Sequence, residues 1–244
     1  MNAVLLGATK GMGRSLARLM AARGDRLFLL GRDREDLARS AADLRAFGAA
    51  QVETADCDLL ARATFKPALD RAAEAFGRID TVVVTAGLFA GQDELENDAE
   101  LRDRLLTADF TNTIHFCEEA RLRLLANGGG TLCVFSSVAG ERGRKPVLLY
   151  GAAKAGLSHY LEGLDHKFHG LGLRTIAVKP GFVKTGMTAG LKPPPFAGDP
   201  DVVARSVLKA IDSGTPVVYA PGIWRWIMLV IRSLPRFVMR RIGF

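Results

Sequence analysis

Cysteine is scarce in this chain: 244 residues contain three, Cys57, Cys117 and Cys133. No two stand at metal-type spacing, and two lie in apolar patterns. That excludes a disulfide framework and predicts reduced, structural thiols of a cytosolic compartment. Histidine is nearly as sparse. His166 and His169 fall three apart on a predicted surface helix, His115 and His159 stand alone, and no carboxylate or cysteine joins them at ligand spacing. No metal site is expected. There is no Pro/Gly/Ser-rich linker and no internal repeat beyond strand–helix alternation. The chain opens directly on a core strand, from which no signal peptide is expected. What remains is 48% hydrophobic residues, enough to bury one large core.

Apolar runs predict strands near 2–7, 26–31, 51–55, 79–85, 130–136, 173–179 and 216–219. Helical periodicity fills the gaps near 11–23, 33–47, 62–76, 98–126, 147–170 and 199–213. This alternation predicts an α/β fold, a single doubly wound parallel sheet with helices on both faces. One domain over 1–221 is expected, followed by a basic amphipathic tail over 222–244. The charged run from Gln92 to Arg104 reads as an exposed helix face.

Two constellations carry chemistry. After the first strand come Gly7, Gly11 and Gly13, in Gly7-Ala8-Thr9-Lys10-Gly11-Met12-Gly13. Gly7 allows a tight turn, Gly11 lets backbone approach a pyrophosphate, and Gly13 permits close helix–strand packing, with the phosphates on the helix N-terminus. Taken alone, such a turn also fits a plain strand–helix connection. The second is Tyr150 and Lys154, four apart and so on one helix face, with Ser137 thirteen residues upstream. A cation beside a phenol stabilises its phenolate, which makes the proton usable in acid–base work.

Together these motifs resemble the short-chain dehydrogenase/reductase family, from Ala3 to about Tyr219. The resemblance implies a Rossmann-like domain that reduces or oxidises a carbonyl–alcohol pair. In it Ser137 polarises the carbonyl, Tyr150 is the general acid or base, and Lys154 lowers the tyrosine pKa and holds the nicotinamide ribose. It also implies a cofactor cradle of Gly7, Thr9, Lys10, Gly11, Met12 and Gly13. Asp58 and Leu59 would meet the adenine edge. Ala86 and Gly87, then Pro180, Gly181, Val183 and Thr185, would line the nicotinamide side. Two positions depart from the family's pattern. Thr85 replaces the usual asparagine before Ala86-Gly87, and Asp109 stands at the usual catalytic asparagine. Asp109 would keep that residue's role through its backbone carbonyl; Asn112, after a local shift, is the alternative.

Charge near the second strand bears on the cofactor. Arg32 stands where NAD-preferring relatives usually carry an acid, and Lys10 sits inside the phosphate turn. Two cations there favour the 2′-phosphate of NADPH over NADH. The alternative is that both are ordinary solvated charges, with Asp33 adjacent.

The loops and the tail bear on the substrate. Arg142, Arg144 and Lys145 follow the serine strand and could meet a phosphate, and the proline-rich stretch from Gly186 to Pro195 suits a lid. From Gly222 to Phe244 there are five arginines and no acid, against a net +7 for the whole chain. The stretch is too short and too interrupted to span a bilayer. Trp224, Trp226 and the arginines suit an interfacial helix on anionic lipid; packing on the body or in a subunit interface is the alternative. Nucleic acid is disfavoured, because no basic groove or stacking pattern recurs. The tail and the segments around Ser137, Tyr150 and Leu191 together look like the decaprenylphosphoryl-2-keto-ribose reductases. That narrower resemblance implies a polyprenyl-phosphoryl 2-keto-pentose substrate and a flavin-dependent oxidase as partner. The broader family resemblance implies a homo-oligomer, and the thiols and the tail predict a cytoplasmic, membrane-associated location. A reductase of another long-chain keto lipid, such as a 3-keto sphingoid base, and a non-catalytic NADPH-binding scaffold are the other readings.

Overall fold

The apolar runs become seven parallel strands in the computed structural model, which describes residues 1–243. They are β1 (Asn2–Leu6), β2 (Arg26–Gly31), β3 (Gln51–Asp56), β4 (Thr81–Val84), β5 (Gly130–Phe135), β6 (Leu173–Pro180) and β7 (Val217–Ala220). Their order is β3-β2-β1-β4-β5-β6-β7, so the winding reverses between β1 and β4. Ligands of such sheets bind beyond the strands' carboxyl ends at that reversal.

One register row crosses the whole sheet: Ala55, Leu30, Leu6, Val84, Val134, Ala177 and Val217. Parallel partners in register point to one face, and the first six enter the core beneath α3 (Phe65–Phe76), α6 (Asn112–Ala126) and α7 (Leu148–Phe168). The neighbouring residues Leu29, Leu5, Val83, Cys133 and Ile176 point the other way. They pack under α1 (Gly11–Ala22), α2 (Arg34–Ala46) and α8 (Pro200–Ser213). Burial on both faces is why β1 and β4 read as unbroken apolar runs while the edge strand β3 alternates, with Glu53 exposed. The three cysteines are unpaired and buried, and desolvation pushes the Cys57 thiol up to about 12.

Two segments differ from the sequence reading. The single helix expected over 98–126 is α5 (Ala99–Leu106), a wide π-type turn at Thr107–Thr111, and α6. The Thr113 hydroxyl donates to the Ala108 carbonyl at 2.6 Å and stabilises the wide turn. The run from Gln92 is also not a plain solvent face. It forms α4 (Gln92–Asn97) and α5, and Gln92, Leu95 and Leu105 are buried; the Gln92 side-chain oxygen Oε1 accepts from the Leu149 N–H at the start of α7.

The tail folds as α9 (Ile223–Ser233) and α10 (Arg236–Arg241). One stripe of α9, Trp224, Met228 and Ile231, closes a small apolar cluster with Val138, Phe182 and Tyr219. Among the described residues no helix is long and apolar enough to cross a membrane.

Candidate active site

The carboxyl ends of β1, β4, β5 and β6 build the crevice. At β1 the chain turns through Gly7 (φ +98°) and Gly11 (φ +52°), both in the region that favours glycine. A Cβ on Gly7 would lie 2.5 Å from the Ala86 nitrogen. On Gly13 it would lie 2.4 Å from the Gly7 carbonyl oxygen and 2.5 Å from the Thr85 hydroxyl. The Thr85 hydroxyl donates to the Gly7 carbonyl at 2.8 Å, tying the end of β4 to the turn. Threonine thus does a structural job at the departure position. A Cβ on Gly11 would meet the Thr185 methyl at 3.4 Å, so the phosphate turn and the β6 loop face each other across the crevice. Thr9 and Met12 sit half-buried at the start of α1, whose free N–H groups suit a pyrophosphate. These residues fit a dinucleotide.

The adenosine side separates the charges that the sequence left ambiguous. The Asp33 carboxylate accepts from the Asp36 N–H at 2.9 Å and caps α2. One of its two oxygens is therefore committed to the helix N-terminus. Lys10 pairs with Asp36 at 2.7 Å, which holds that carboxyl below its usual range together with Arg39. Arg32 is exposed and makes no ion pair among the described residues. Asp58 accepts from the Leu60 N–H at 3.0 Å, and Leu59 is buried with its carbonyl bound by the Asn112 amide at 2.6 Å. That bond commits the Asn112 side-chain amide to the loop after β3.

The catalytic groups converge. Ser137 follows β5 and its hydroxyl accepts from the Ala139 N–H at 3.1 Å. It lies beside the Tyr150 phenol and favours its ionised form. The Lys154 ammonium stands 5.6 Å from the Tyr150 ring centre and donates to the Phe135 carbonyl at 3.3 Å. Glycines make the close approach of α7 to the serine loop feasible: a Cβ on Gly140 would lie 2.6 Å from the Ala155 nitrogen, and one on Gly151 2.8 Å from the Ala139 carbonyl oxygen. Phe89, which the sequence reading passed over, packs edge-on against the phenol ring at 5.2 Å.

Asp109 brings its side chain into the site, whereas the sequence reading concerned only its backbone carbonyl. The π-type turn carries it into the core with no exposure. One carboxylate oxygen accepts from the Leu88 N–H at 2.6 Å and the other lies 3.3 Å from the Lys154 ammonium. Burial pushes the Asp109 pKa up, against the pull of Lys154. Burial also opposes the Lys154 charge, but Asp109 and Tyr150 outweigh it and the net direction is up. For Tyr150 the expectation was a lowered value. Here burial raises it, Lys154 lowers it, Asp109 raises it again, and the sum is upward. The protein's own groups therefore keep the phenol protonated near neutral pH.

Beyond β6, Pro180 and Val183 are buried, and the Thr185 backbone is fixed by the Thr188 hydroxyl at 3.1 Å. Gly181 lies under Trp224, whose indole nitrogen would sit 2.0 Å from an added Cβ. Trp224 thus packs on the body beside Gly181 and is not the lipid-facing residue its position in the tail suggested. Arg142 donates to the Leu234 carbonyl at 2.9 Å and Lys145 to the Arg240 carbonyl at 2.7 Å, so both hold the tail. Glu141 reinforces that hold by pairing with Lys179 at 2.5 Å and Arg232 at 3.1 Å. Arg144 differs: its Nε is buried without a hydrogen-bond partner among the described residues, and desolvation lowers its pKa. Among the described residues no group of three or more His, Cys, Asp or Glu could hold a metal ion.

Comparison with known proteins agrees with this geometry. Residues 1–195 match the short chain dehydrogenase family. An uncharacterised oxidoreductase of Mycobacterium tuberculosis is 36% identical over 238 residues, covering 98% of this chain and 95% of the relative. Among solved structures, a short-chain type dehydrogenase/reductase of Mycobacterium ulcerans superposes with a TM-score of 0.82 at 21% identity, covering 89% of this chain and 86% of that one. A variant of the actinorhodin polyketide ketoreductase, solved with NADPH, gives 0.80 at 22% identity over 89% and 95% of the two chains. At those identities the two structures speak for the fold alone.

Proposed function

Because the chain belongs to the short-chain dehydrogenase family, we propose that this oxidoreductase works as an NADPH-dependent ketone reductase, acting on a ketone that carries a phosphoryl group. The observation that carries the reductive reading is the meeting of Ser137, Tyr150, Lys154 and Asp109 at the carboxyl ends of β4 and β5. The cofactor, when bound, supplies the hydride. Ser137 and Tyr150 hydrogen-bond the carbonyl oxygen as it gains negative charge. Tyr150 gives its proton to that oxygen, and the Lys154 ammonium holds the phenolate left behind. A phenol kept protonated at neutral pH suits reduction, since the reverse reaction starts from the phenolate.

NADPH is favoured over NADH by Arg32, which is exposed and uncommitted, together with the capping role of Asp33. The ketoreductase of similar fold was itself solved with NADPH. The phosphoryl group is favoured by Arg144, which ends the serine loop six residues before Tyr150. A desolvated guanidinium without an acid is costly, and a phosphate oxygen would satisfy it bidentately. A polyprenyl-phosphoryl 2-keto-pentose fits this reading, and a flavin-dependent oxidase would supply it. A keto sphingoid base would leave Arg144 without a partner. A cytoplasmic site, where NADPH is held reduced, belongs to the same proposal.

The test uses a soluble 2-ketopentose phosphate beside its dephosphorylated form, with NADPH consumption as the readout. Arg144→Gln should raise KM for the phosphorylated ketone at least ~10-fold, typical of losing a hydrogen-bonded charge, and leave the other unchanged. An equal effect on both would remove the phosphoryl part of the proposal and leave the reductase part standing.

A further inference from the structure

The outward side of the tail is a surface without a partner. At 100° per residue, Trp224, Met228 and Ile231 face the body, and Trp226, Leu229 and Val230 fall on the opposite side of α9. These three are 62%, 47% and 63% exposed, and Phe237 on α10 is 60% exposed. A helix that is apolar on both sides normally has something on each. The arginines around this patch are as unusual. Arg225, Arg236, Arg240 and Arg241 are all exposed and none pairs with an acid among the described residues; only Arg232 does, with Glu141. No acidic residue occurs from Pro221 to Phe244.

We infer that this outer face of α9 and α10 docks on the surface of an anionic lipid bilayer, with Trp226, Leu229, Val230 and Phe237 entering the interface and the unpaired arginines meeting the headgroups. The charge argument selects the occupant. A second copy of the chain would bring the same arginines against each other, since a two-fold contact pairs a patch with itself. A lipid surface with anionic headgroups neutralises them, and apolar wedges among arginines are how interfacial helices bind. The length of α9, 11 residues, suits lying in the interface and not crossing it.

Docking there also places the crevice. The inner face of α9 packs on Val138, next to Ser137, and on Phe182, next to Gly181. Arg142 and Lys145 fasten the ends of both tail helices to the loop that leads to Tyr150. The same helix thus joins the lipid surface to the wall of the reaction site, and a membrane-resident ketone would reach Tyr150 with little departure from the bilayer.

Flotation of the full chain with vesicles tests this without substrate or cofactor, so the outcome is independent of the reaction assigned above. Binding is expected to vesicles of phosphatidylcholine with phosphatidylglycerol, not to phosphatidylcholine alone, and to weaken between about 0.1 M and 1 M salt as screening tightens. Trp226→Ser with Val230→Ser should cut binding at least roughly tenfold. Arg236→Gln, Arg240→Gln and Arg241→Gln should each cost about fivefold, while turnover of a soluble ketone stays unchanged. Light scattering of the same proteins reads the competing occupant. Absent flotation of the wild-type chain, or flotation that the serine variant leaves intact, overturns the proposal. So does a wild-type dimer that the serine variant turns into monomer.

Discussion

In the proposed mechanism Tyr150 is an acid in one direction of the reaction and a base in the other, and its neighbours set which is easier. Burial and Asp109 raise its pKa while Lys154 and Ser137 lower it, with an upward sum. Tyr150→Phe should therefore lower kcat for ketone reduction at least ~100-fold while NADPH binding, followed by cofactor fluorescence, stays intact. The pH profile follows in sign. Reduction needs the protonated phenol, so its rate holds through neutral pH and falls as pH rises through the Tyr150 pKa. Asp109→Asn removes a negative charge that raises that pKa, and the alkaline limb should move to lower pH. A limb that stays in place or moves up would show that the Asp109 carboxylate does not act on Tyr150. At the cofactor, Arg32→Ala should raise KM for NADPH about tenfold and leave NADH unaffected, as expected for a lost charge-assisted bond. The closeness of Tyr150 and Lys154 was legible in the sequence because helix spacing puts them on one face. The work of Asp109 was not, because it depends on where a side chain points after a π-type turn. Spacing alone does not register an extra residue in a helical turn.

At the scale of elements, the tail decides more than its sequence declares. Trp224 and Trp226 are two apart, so a helix must send them to different sides. The sequence reading assigned both to one surface. The structure turns Trp224 onto Gly181 and leaves Trp226 outside, because the body offers an apolar seat made by Val138, Phe182 and Tyr219. Gly181→Ala would put a methyl group where the indole sits. The tail should then lose its seat: trypsin would cleave within 222–243 faster than in the wild-type chain, leaving a folded body. Unchanged proteolysis of that variant would mean that the Trp224–Gly181 contact does not hold the tail. Strands were the most legible elements, since all seven appear near the expected spans, six as apolar runs and the edge strand β3 as an alternating one. The helix over 98–126 was legible only in extent. The polar residues of the run from Gln92 to Arg104 suggested a solvent face, whereas Leu95 within it is buried and the Gln92 side chain binds the start of α7.

For the molecule as a whole, one topological fact gathers the chemistry. A parallel sheet ordered β3-β2-β1-β4-β5-β6-β7 brings the ends of β1, β4, β5 and β6 side by side. Residues from Gly7 to Thr185 thereby share one crevice although they span most of the chain. That much follows from strand–helix alternation, because parallel pairing and covered faces leave few other topologies. The charge balance is less transparent from sequence. Arg142 and Lys145 look like free cations in the chain order, yet they bind carbonyls of the tail, and Arg144 between them is the one whose buried Nε has no hydrogen-bond partner among the described residues. Long-range pairings of that kind have no local signature.

The most direct measurement follows the hydride itself. The wild-type chain and Tyr150→Phe are incubated with NADPH deuterated at the transferable position and a panel of ketones, including a 2-ketopentose phosphate and an oxidised lipid extract. Products are analysed by mass spectrometry. Deuterium should appear on the new alcohol carbon of at least one product with the wild-type chain, and at least ~100-fold more slowly with the variant. Absence of transfer to every ketone, or transfer that Tyr150→Phe leaves undiminished, would contradict the reductase account.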